Sequence, residues 1–333
     1  MAIKRKRRVL LQVDFGGPLV NDAVIERTRA RTALRTARES GLHSALISNA
    51  GKNPGLAKAI ASVSTKEFMN AYSGGKAGLK AVSKGAEAYS DVNRTAAALL
   101  EAAKAKNPGL VSDLSYNDLT EGIGKRIIGD FFRKFSRPVK AAAKRSFDSN
   151  TFATLSKIIR GAKARGIRLN VDIISDNNPL LFRKAFQPAI RAEAKAVAGE
   201  LGVRMPVSRY RKNPKTVAGR AIRQMTLLLS PKGKSRIYIS GESWGNKNDP
   251  ETWKRILKDR KVRKGESVVF VDDGLKKLEG FYSGASAYGA RPVAVWLDLK
   301  KEKPVSLIGI TENGFPHLTI HSIGQIENII EKL

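Results

Sequence analysis

The sequence predicts an α/β protein built on a parallel sheet with helices on both faces. Five short apolar runs, each rich in β-branched residues and bounded by charged residues or glycine, indicate buried strands. Helical patterns such as 149–164 and 179–201 lie between most of these runs. This alternation of strand and helix is typical of a parallel sheet. The predicted strands are 9–13, 169–174, 236–239, 267–271 and 292–297.

A long helical stretch interrupts this alternation after the first strand. Residues 20–155 contain no pattern typical of a strand, are rich in alanine, and repeat their apolar positions at helical spacing, as in 119–135. Asn53 precedes a proline, which is typical of a helix start because asparagine caps the first turn and proline fits into it. We therefore predict two parts: an α/β core formed by 1–19 and 156–333, and an inserted α-helical module formed by 20–155.

The net charge of +31 is unevenly distributed along the chain. Residues 156–234 carry 18 basic and four acidic side chains, whereas 235–333 carry a net charge of only +3. Concentrated positive charge attracts polyanions, so 156–234 is a candidate surface for nucleic acid or another polyanion. The alternative is a basic protein whose charges serve only its solubility. The arginines that we expect to contribute to such a surface are Arg209, Arg211, Arg220 and Arg223.

Composition excludes several classes of site and location. The chain has no cysteine, which excludes disulfides, thiolate metal ligands and a cysteine nucleophile. No apolar run approaches the roughly 20 residues that a membrane-spanning helix needs. The basic start of the chain is followed by an apolar run too short for a signal peptide. We therefore expect a cytoplasmic protein that has no membrane partner.

Polar residues stand at the ends of four predicted strands. Asp14 directly follows the first strand, Ser175 follows the second, and Asp272 with Asp273 follows the fourth. The third strand leads into a loop that contains Lys247. Ligands of open parallel sheets bind beyond the carboxyl ends of the strands. We therefore expect these five side chains to form one site.

These residue types suit phosphoryl transfer assisted by Mg²⁺. Carboxylates from two strands supply the hard oxygen ligands that Mg²⁺ prefers. The metal then shields an anionic phosphate from an attacking carboxylate. A lysine and a hydroxyl donate to the remaining phosphate oxygens, and such positioning and electrostatics carry most of this reaction. An aspartate nucleophile would form a covalent aspartyl-phosphate.

The same segments resemble, in order, the four motifs of the haloacid dehalogenase (HAD) superfamily of hydrolases. DFGGPL, which begins at Asp14, resembles the first motif, DxDGTL, and VDIISDN resembles the second. GNKNDPETW around Lys247 is similar to the third motif, and VFVDDGLKKLEG is similar to the fourth and is the most specific match. The resemblance covers 1–19 and 156–333 and implies a Rossmann-like core. It places 20–155 where the family has its type-1 helical cap, which selects the substrate.

The resemblance also implies roles for individual residues. Asp14 would be the nucleophile, and Ser175 and Lys247 would bind the phosphoryl group. The implied substrate is a small phosphorylated molecule, a phosphoester in the first place and a phosphonate in the second. The cofactor would be Mg²⁺. The implied metal ligands are Asp14, the backbone carbonyl of Gly16, Asp272 and Asp273.

The first motif departs from the family at two positions. Gly16 stands where the family's phosphatases have an aspartate that acts as general acid and base, and Pro18 replaces a threonine. Phosphonoacetaldehyde hydrolases of the family also lack that aspartate and use a lysine of the cap. Metal-free haloacid dehalogenases lack it too, but the paired Asp272 and Asp273 argue against that branch. A further alternative is a non-catalytic HAD-fold protein that binds nucleic acid or another polyanion. The cap lysines available for phosphonate chemistry include Lys76, Lys80 and Lys84.

Overall fold

The structure, a computed structural model, has two compact units. One unit contains Met1–Asp22, Ser146–Asn177 and Ile190–Leu333, and the other contains Ala23–Arg145 and Asn178–Ala189. The residues that the structure describes are 7–74, 90–109, 114–146, 149–177, 181–186, 188–190, 192, 193, 196, 222, 223, 236–239, 244–302, 304, 305 and 308–333.

The first unit contains one mixed but mainly parallel sheet. Its strands within the described residues are β1 Arg8–Asp14, β2 Arg168–Ser175, β3 Ile222–Arg223, β4 Arg236–Ile239, β5 Ser267–Asp272, β6 Arg291–Leu297, β7 Ile308–Ile310 and β8 Pro316–Ile320. Their order across the sheet is β3-β4-β2-β1-β5-β6-β8-β7. Neighbouring strands run parallel except at the two edges, where β3 and β7 are antiparallel to their neighbours. The predicted Rossmann-like α/β class is therefore confirmed.

Helices fill most of the connections. In chain order the α-helices of the described residues are α1 Asp22–Glu39, α2 Leu42–Asn49, α3 Pro54–Ala61, α4 Thr65–Gly74, α5 Ser90–Lys106, α6 Tyr116–Thr120, α7 Lys125–Ser146, α8 Ser149–Ala164, α9 Pro250–Asp259, α10 Leu275–Tyr288 and α11 Ile326–Lys332. None of the helices in these ranges is long and apolar enough to cross a membrane.

All five predicted strands are present, and each is observed within one residue of its predicted ends. The predicted helix 149–164 is also confirmed by α8. The predicted helix 119–135 is wrong as a single element, because α6 ends at Thr120 and α7 begins at Lys125. Gly122, which has a φ of 69°, lies between them and adopts a left-handed conformation that ends a helix.

The boundaries of the predicted insertion differ from those of the two units. The predicted boundary at 155/156 cuts through α8, whereas the whole of α8 belongs to the first unit and packs against β2. Residues 178–189 belong to the helical unit, although the prediction placed them in the core. The role of the helical unit as a cap stays a prediction.

The start of α3 follows the predicted chemistry. The side chain of Asn53 accepts a hydrogen bond from the backbone N–H of Leu56 at 3.0 Å, and Pro54 occupies the first turn. An asparagine cap of this kind contributes about 1 kcal/mol to a helix.

One part of the core of the first unit lies between the sheet and the helices α9 and α10. Trp253 of α9, Phe270 of β5 and Phe281 of α10 are fully buried, and their ring centroids lie 4.5 to 5.4 Å apart. Each buried side chain of this size contributes roughly 1.5–3 kcal/mol through its removal from water. This packing fixes α9 and α10 against the carboxyl half of β5.

Several predicted features lie outside the described residues. They include Lys76, Lys80, Lys84 and part of the predicted helix 179–201, together with Arg209, Arg211 and Arg220. The backbone of Arg223 lies in β3, but its side chain is not among the described ones. The predicted polyanion surface on 156–234 therefore stays a prediction.

Candidate active site

Three of the predicted residues lie together at the carboxyl ends of the central strands. β1 lies between β2 and β5, and Asp14, Ser175 and Asp272 are the last residues of these three parallel strands. Val13 pairs with Val271, so Asp14 and Asp272 follow at the same level of the sheet. The expected convergence of the strand ends is observed.

Three carboxylates form a compact cluster at these strand ends. Asp14, Asp272 and Asp273 each offer an oxygen within 4.8 Å of the other two. Asp14 and Asp272 are buried, and Asp273 is partly exposed. Carboxylate oxygens are the hard ligands that Mg²⁺ prefers, and these three form a candidate metal-binding group. The donor set therefore fits the predicted metal.

The turn after β1 places the backbone of Gly17 against the side chain of Asp273. Gly17 has a φ of 67°, and a Cβ at this position would lie 2.6 Å from Oδ2 of Asp273. Gly16, one residue earlier, is buried and forms an isolated bridge with Val20. The absence of a side chain at Gly17 thus permits both the turn and the position of the third carboxylate.

Replacement of Gly17 by alanine is expected to lower the free energy of unfolding by about 1–3 kcal/mol and to weaken metal binding. The left-handed backbone costs alanine roughly 1–2 kcal/mol, and the new methyl group must also displace the Asp273 carboxylate. Urea unfolding and titration with Mg²⁺ measure the two effects. Gly265→Ala is the control, because Gly265 has a φ of 75° and open space around it. Unchanged Mg²⁺ binding in Gly17→Ala would contradict the assignment of Asp273 to the metal site.

Lys247 contacts three carboxylates near the strand ends. Its side chain is 1% exposed, and Nζ lies 2.7 Å from Oδ1 of Asp14, 3.0 Å from Oδ2 of Asp272 and 3.3 Å from Oδ2 of Asp176. Burial lowers the pKa of Lys247, but Asp14, Asp176 and Asp272 outweigh this effect and raise the pKa well above its ordinary value. The lysine is therefore a permanent cation beside the candidate nucleophile.

The loop before α9 fixes the backbone of Lys247. Asp249 caps α9 by accepting a hydrogen bond from the N–H of Glu251 at 2.9 Å, and the indole N–H of Trp253 donates to the carbonyl of Lys247 at 2.7 Å. A Cβ at Gly280 of α10 would lie 2.5 Å from that same carbonyl oxygen. The loop is thus pressed between α9 and α10, which directs the lysine side chain at the strand ends.

Burial changes the acidity of Asp14. The pKa of Asp14 is raised to about 6, because burial and the charge of Asp272 raise it more than Lys247 and Lys277 lower it. The backbone N–H of Phe15 donates to Oδ1 of Asp14 at 2.7 Å. Asp14 is therefore a carboxylate at neutral pH with one oxygen held by Phe15 and Lys247.

Ser175 lies at the same end of the sheet, as the last residue of β2, and its side chain is fully buried. Its hydroxyl oxygen accepts hydrogen bonds from the backbone N–H of Asn177 at 3.2 Å and from the Asn177 amide at 3.0 Å. Both bonds use the oxygen as acceptor, so they leave the hydroxyl hydrogen available for donation.

Sequence reasoning missed two further charged side chains of this site, Lys277 and Asp176. Nζ of Lys277 lies 3.4 Å from Oδ2 of Asp14, 3.4 Å from Oδ1 of Asp272 and 3.7 Å from Oδ2 of Asp176. Lys277 stands in the first turn of the helix that follows Asp272, and Asp176 follows Ser175 directly. Their positions next to strand ends were a signal, but the direction of a long side chain is not readable from sequence.

No known protein family matches this sequence, and no curated protein is significantly similar to it. Among solved structures, the chain is similar to the putative HAD-hydrolase YfnB from Bacillus subtilis bound to magnesium, with 13% identity over 98% of this chain and 99% of that one and a TM-score of 0.45. It is also similar to 2-haloacid dehalogenase from Pseudomonas syringae, with 13% identity over 97% and 98% of the two chains and a TM-score of 0.39. A third similarity is to the UTR4 protein from Saccharomyces cerevisiae, with 10% identity over 95% and 97% and a TM-score of 0.33. All three TM-scores are below 0.5.

Proposed function

We propose that this protein is a HAD-like phosphohydrolase that cleaves a small phosphoester through an aspartyl-phosphate on Asp14. One observation carries the proposal: Asp14 lies at a strand end in contact with Lys247, with the carboxylates of Asp272 and Asp273 close enough to share a metal ion. The residues that meet there are those of the first, third and fourth motifs that the sequence resembles.

The carboxylates of Asp14, Asp272 and Asp273 would hold Mg²⁺, with the backbone carbonyl of Gly16 as a further ligand. When bound, the metal supplies positive charge that shields the phosphate from the attacking carboxylate. Ser175 and Lys247 would donate to the other phosphoryl oxygens. At pH 7 Lys247 is a cation, because its pKa is raised well above its ordinary value, and Asp14 is mainly ionised, because its raised pKa of about 6 still lies below 7.

The proposed reaction has two displacements at phosphorus. A carboxylate oxygen of Asp14 attacks phosphorus, forms an O–P bond and expels the alcohol of the substrate as its alkoxide, which takes a proton from solvent. Water then attacks the phosphorus of the aspartyl-phosphate, releases inorganic phosphate and restores the Asp14 carboxylate, while the second proton of the water passes to solvent. Burial of Asp14 keeps bulk water from competing for the carboxylate.

Gly16 restricts the substrates that this site accepts. A glycine has no side chain that protonates a leaving group, and such general acid catalysis contributes roughly 10²–10⁴-fold in rate. Phosphoesters whose leaving groups depart as stable anions do not need this help. We therefore propose that the site favours aryl or otherwise activated phosphoesters over alkyl phosphoesters.

A panel of phosphoesters tests the proposal. The full chain is assayed with Mg²⁺ against aryl and alkyl phosphates whose leaving groups differ in pKa, with EDTA and the Asp14→Asn variant as controls. The proposal predicts Mg²⁺-dependent release of phosphate that requires Asp14 and falls steeply as the pKa of the leaving group rises. No turnover of any substrate, or turnover that EDTA does not affect, would overturn it.

Replacement of Gly16 by aspartate is expected to raise the turnover of alkyl phosphoesters by about 10²-fold or more, because it introduces a carboxylate that can protonate the leaving group. Aryl phosphoesters should gain much less. The measurement is kcat/KM for the panel, with circular dichroism melting as a control for folding. A variant that slows both classes equally would show that Gly16 is needed for another reason, such as space for the substrate.

A further inference from the structure

Lys247 and Lys277 contact different oxygens of the same two carboxylates, Asp14 and Asp272. Lys247 contacts Oδ1 of Asp14 and Oδ2 of Asp272, at 2.7 and 3.0 Å. Lys277 faces the other pair, Oδ2 of Asp14 and Oδ1 of Asp272, at 3.4 Å from each. The ammonium group of Lys277 therefore bridges the two carboxylates from the side that Lys247 leaves open.

A divalent ion that binds both Asp14 and Asp272 must use the pair of oxygens that Lys277 faces, Oδ2 of Asp14 and Oδ1 of Asp272. Lys247 is fully buried and its backbone is fixed by Trp253 and by the close approach of Gly280, so its contacts with the opposite pair are built into the fold. An ammonium group and Mg²⁺ repel one another strongly at a few ångströms in a buried site. The two cations cannot both occupy the space between these carboxylates.

Lys277 is the more movable of the two lysines. Its side chain is 29% exposed, against 1% for Lys247, and it extends from the first turn of α10 on a flexible four-carbon chain. Asp176, which is 36% exposed, lies 3.7 Å from its ammonium group. Lys277 can therefore leave the buried carboxylates while Asp176 still offers it a negative charge nearer to solvent.

We propose that Lys277 is an internal competitor of the divalent cation. In the metal-free protein its ammonium group neutralises Asp14 and Asp272, and Mg²⁺ binds only when this group is displaced. Lys277 thereby sets the metal affinity of the site and the Mg²⁺ concentration at which the site is loaded. This inference rests on the proposed metal-dependent function, because it concerns the same three carboxylates.

Isothermal titration of Mg²⁺ into the EDTA-stripped full chain tests the inference. Lys277→Gln is compared with Lys276→Gln, which removes the same charge from the same turn of α10 but from an exposed side chain. Lys277→Gln is expected to bind Mg²⁺ about tenfold more tightly or better than wild type, because a cation in direct contact with the ligand oxygens is removed. Lys276→Gln should stay within about twofold of wild type, since an exposed charge is screened by solvent and salt.

Equal Mg²⁺ affinity in the two variants, or weaker binding in Lys277→Gln, would overturn the inference. So would unchanged Mg²⁺ affinity together with lost binding of inorganic phosphate, which would make Lys277 a phosphate ligand. Absence of Mg²⁺ binding in every variant and in wild type would overturn the metal site itself, and with it the proposed function. The rise in melting temperature on addition of Mg²⁺ provides a second readout, which should be larger in Lys277→Gln than in Lys276→Gln.

Discussion

Asp14→Asn is expected to reduce phosphoester hydrolysis by about 10⁴-fold or more, because loss of the proposed covalent nucleophile removes the whole proposed reaction path. An amide does not attack phosphorus as a carboxylate does, and it is also a poorer ligand for Mg²⁺. The measurement is the rate of phosphate release at saturating substrate and Mg²⁺, with a single-turnover experiment to detect residual chemistry.

Asp298→Asn is a matched control for this variant. Asp298 is also a buried aspartate that directly follows a strand of the same sheet, β6, and it accepts a hydrogen bond from the backbone N–H of Lys300 at 3.1 Å. Asparagine can accept the same bond, so this variant should keep its fold and its activity. Full activity in Asp14→Asn would contradict the aspartyl-phosphate path, whereas equal losses in both variants would indicate a general effect on folding.

Lys247→Ala is expected to reduce activity by about 10²–10³-fold and to destabilise the metal-free protein by about 3–5 kcal/mol at neutral pH. The loss of activity follows from removal of a preorganised positive charge where we propose that the phosphoryl group binds. The loss of stability follows because two buried carboxylates, Asp14 and Asp272, lose the ammonium group that contacts both. Lys258→Ala, which removes an exposed lysine of α9, is the control.

The stability cost of Lys247→Ala should depend on pH in a defined direction. The pKa of Asp14 is raised to about 6, mainly by burial, although Lys247 lowers it, so loss of Lys247 should raise it further. A carboxyl group whose pKa is higher in the folded state than in the unfolded state binds more protons when folded, so stability falls as pH rises through the folded pKa. The deficit relative to wild type should therefore be larger at pH 8 than at pH 5. Urea unfolding with EDTA present measures it, and a deficit that grows toward low pH would contradict the ion-pair assignment.

Much of the sheet was predictable because its strands are buried on both faces. β1 reads RVLLQVD and β5 reads SVVFVD, and both are fully buried along nearly their whole length. Continuous β-branched and apolar runs of this kind have few alternatives to a central parallel strand. The convergence of Asp14 and Asp272 then follows from topology alone, since both residues end adjacent parallel strands.

The parts that were not predictable depend on interactions distant in sequence. Lys276 and Lys277 are adjacent in the first turn of α10, and only the orientation of the helix on the sheet decides which of them faces Asp14. The break between α6 and α7 depends on Gly122, whose left-handed backbone is one of several conformations open to glycine.

Two glycines of α10 connect the size of a side chain to the charge of the site. A Cβ at Gly280 would meet the carbonyl of Lys247 at 2.5 Å, and a Cβ at Gly284 would meet the carbonyl of Pro250 at 2.4 Å. A larger residue at Gly280 must therefore move α10, which carries Lys277, away from the loop that carries Lys247, and one at Gly284 must move α10 away from the start of α9. A purely steric substitution on this face of α10 would thus change the electrostatic balance around Asp14 without altering any charged residue. The positions of Lys247 and Lys277 around Asp14 therefore depend on the size of the side chains at Gly280 and Gly284 as well as on charge.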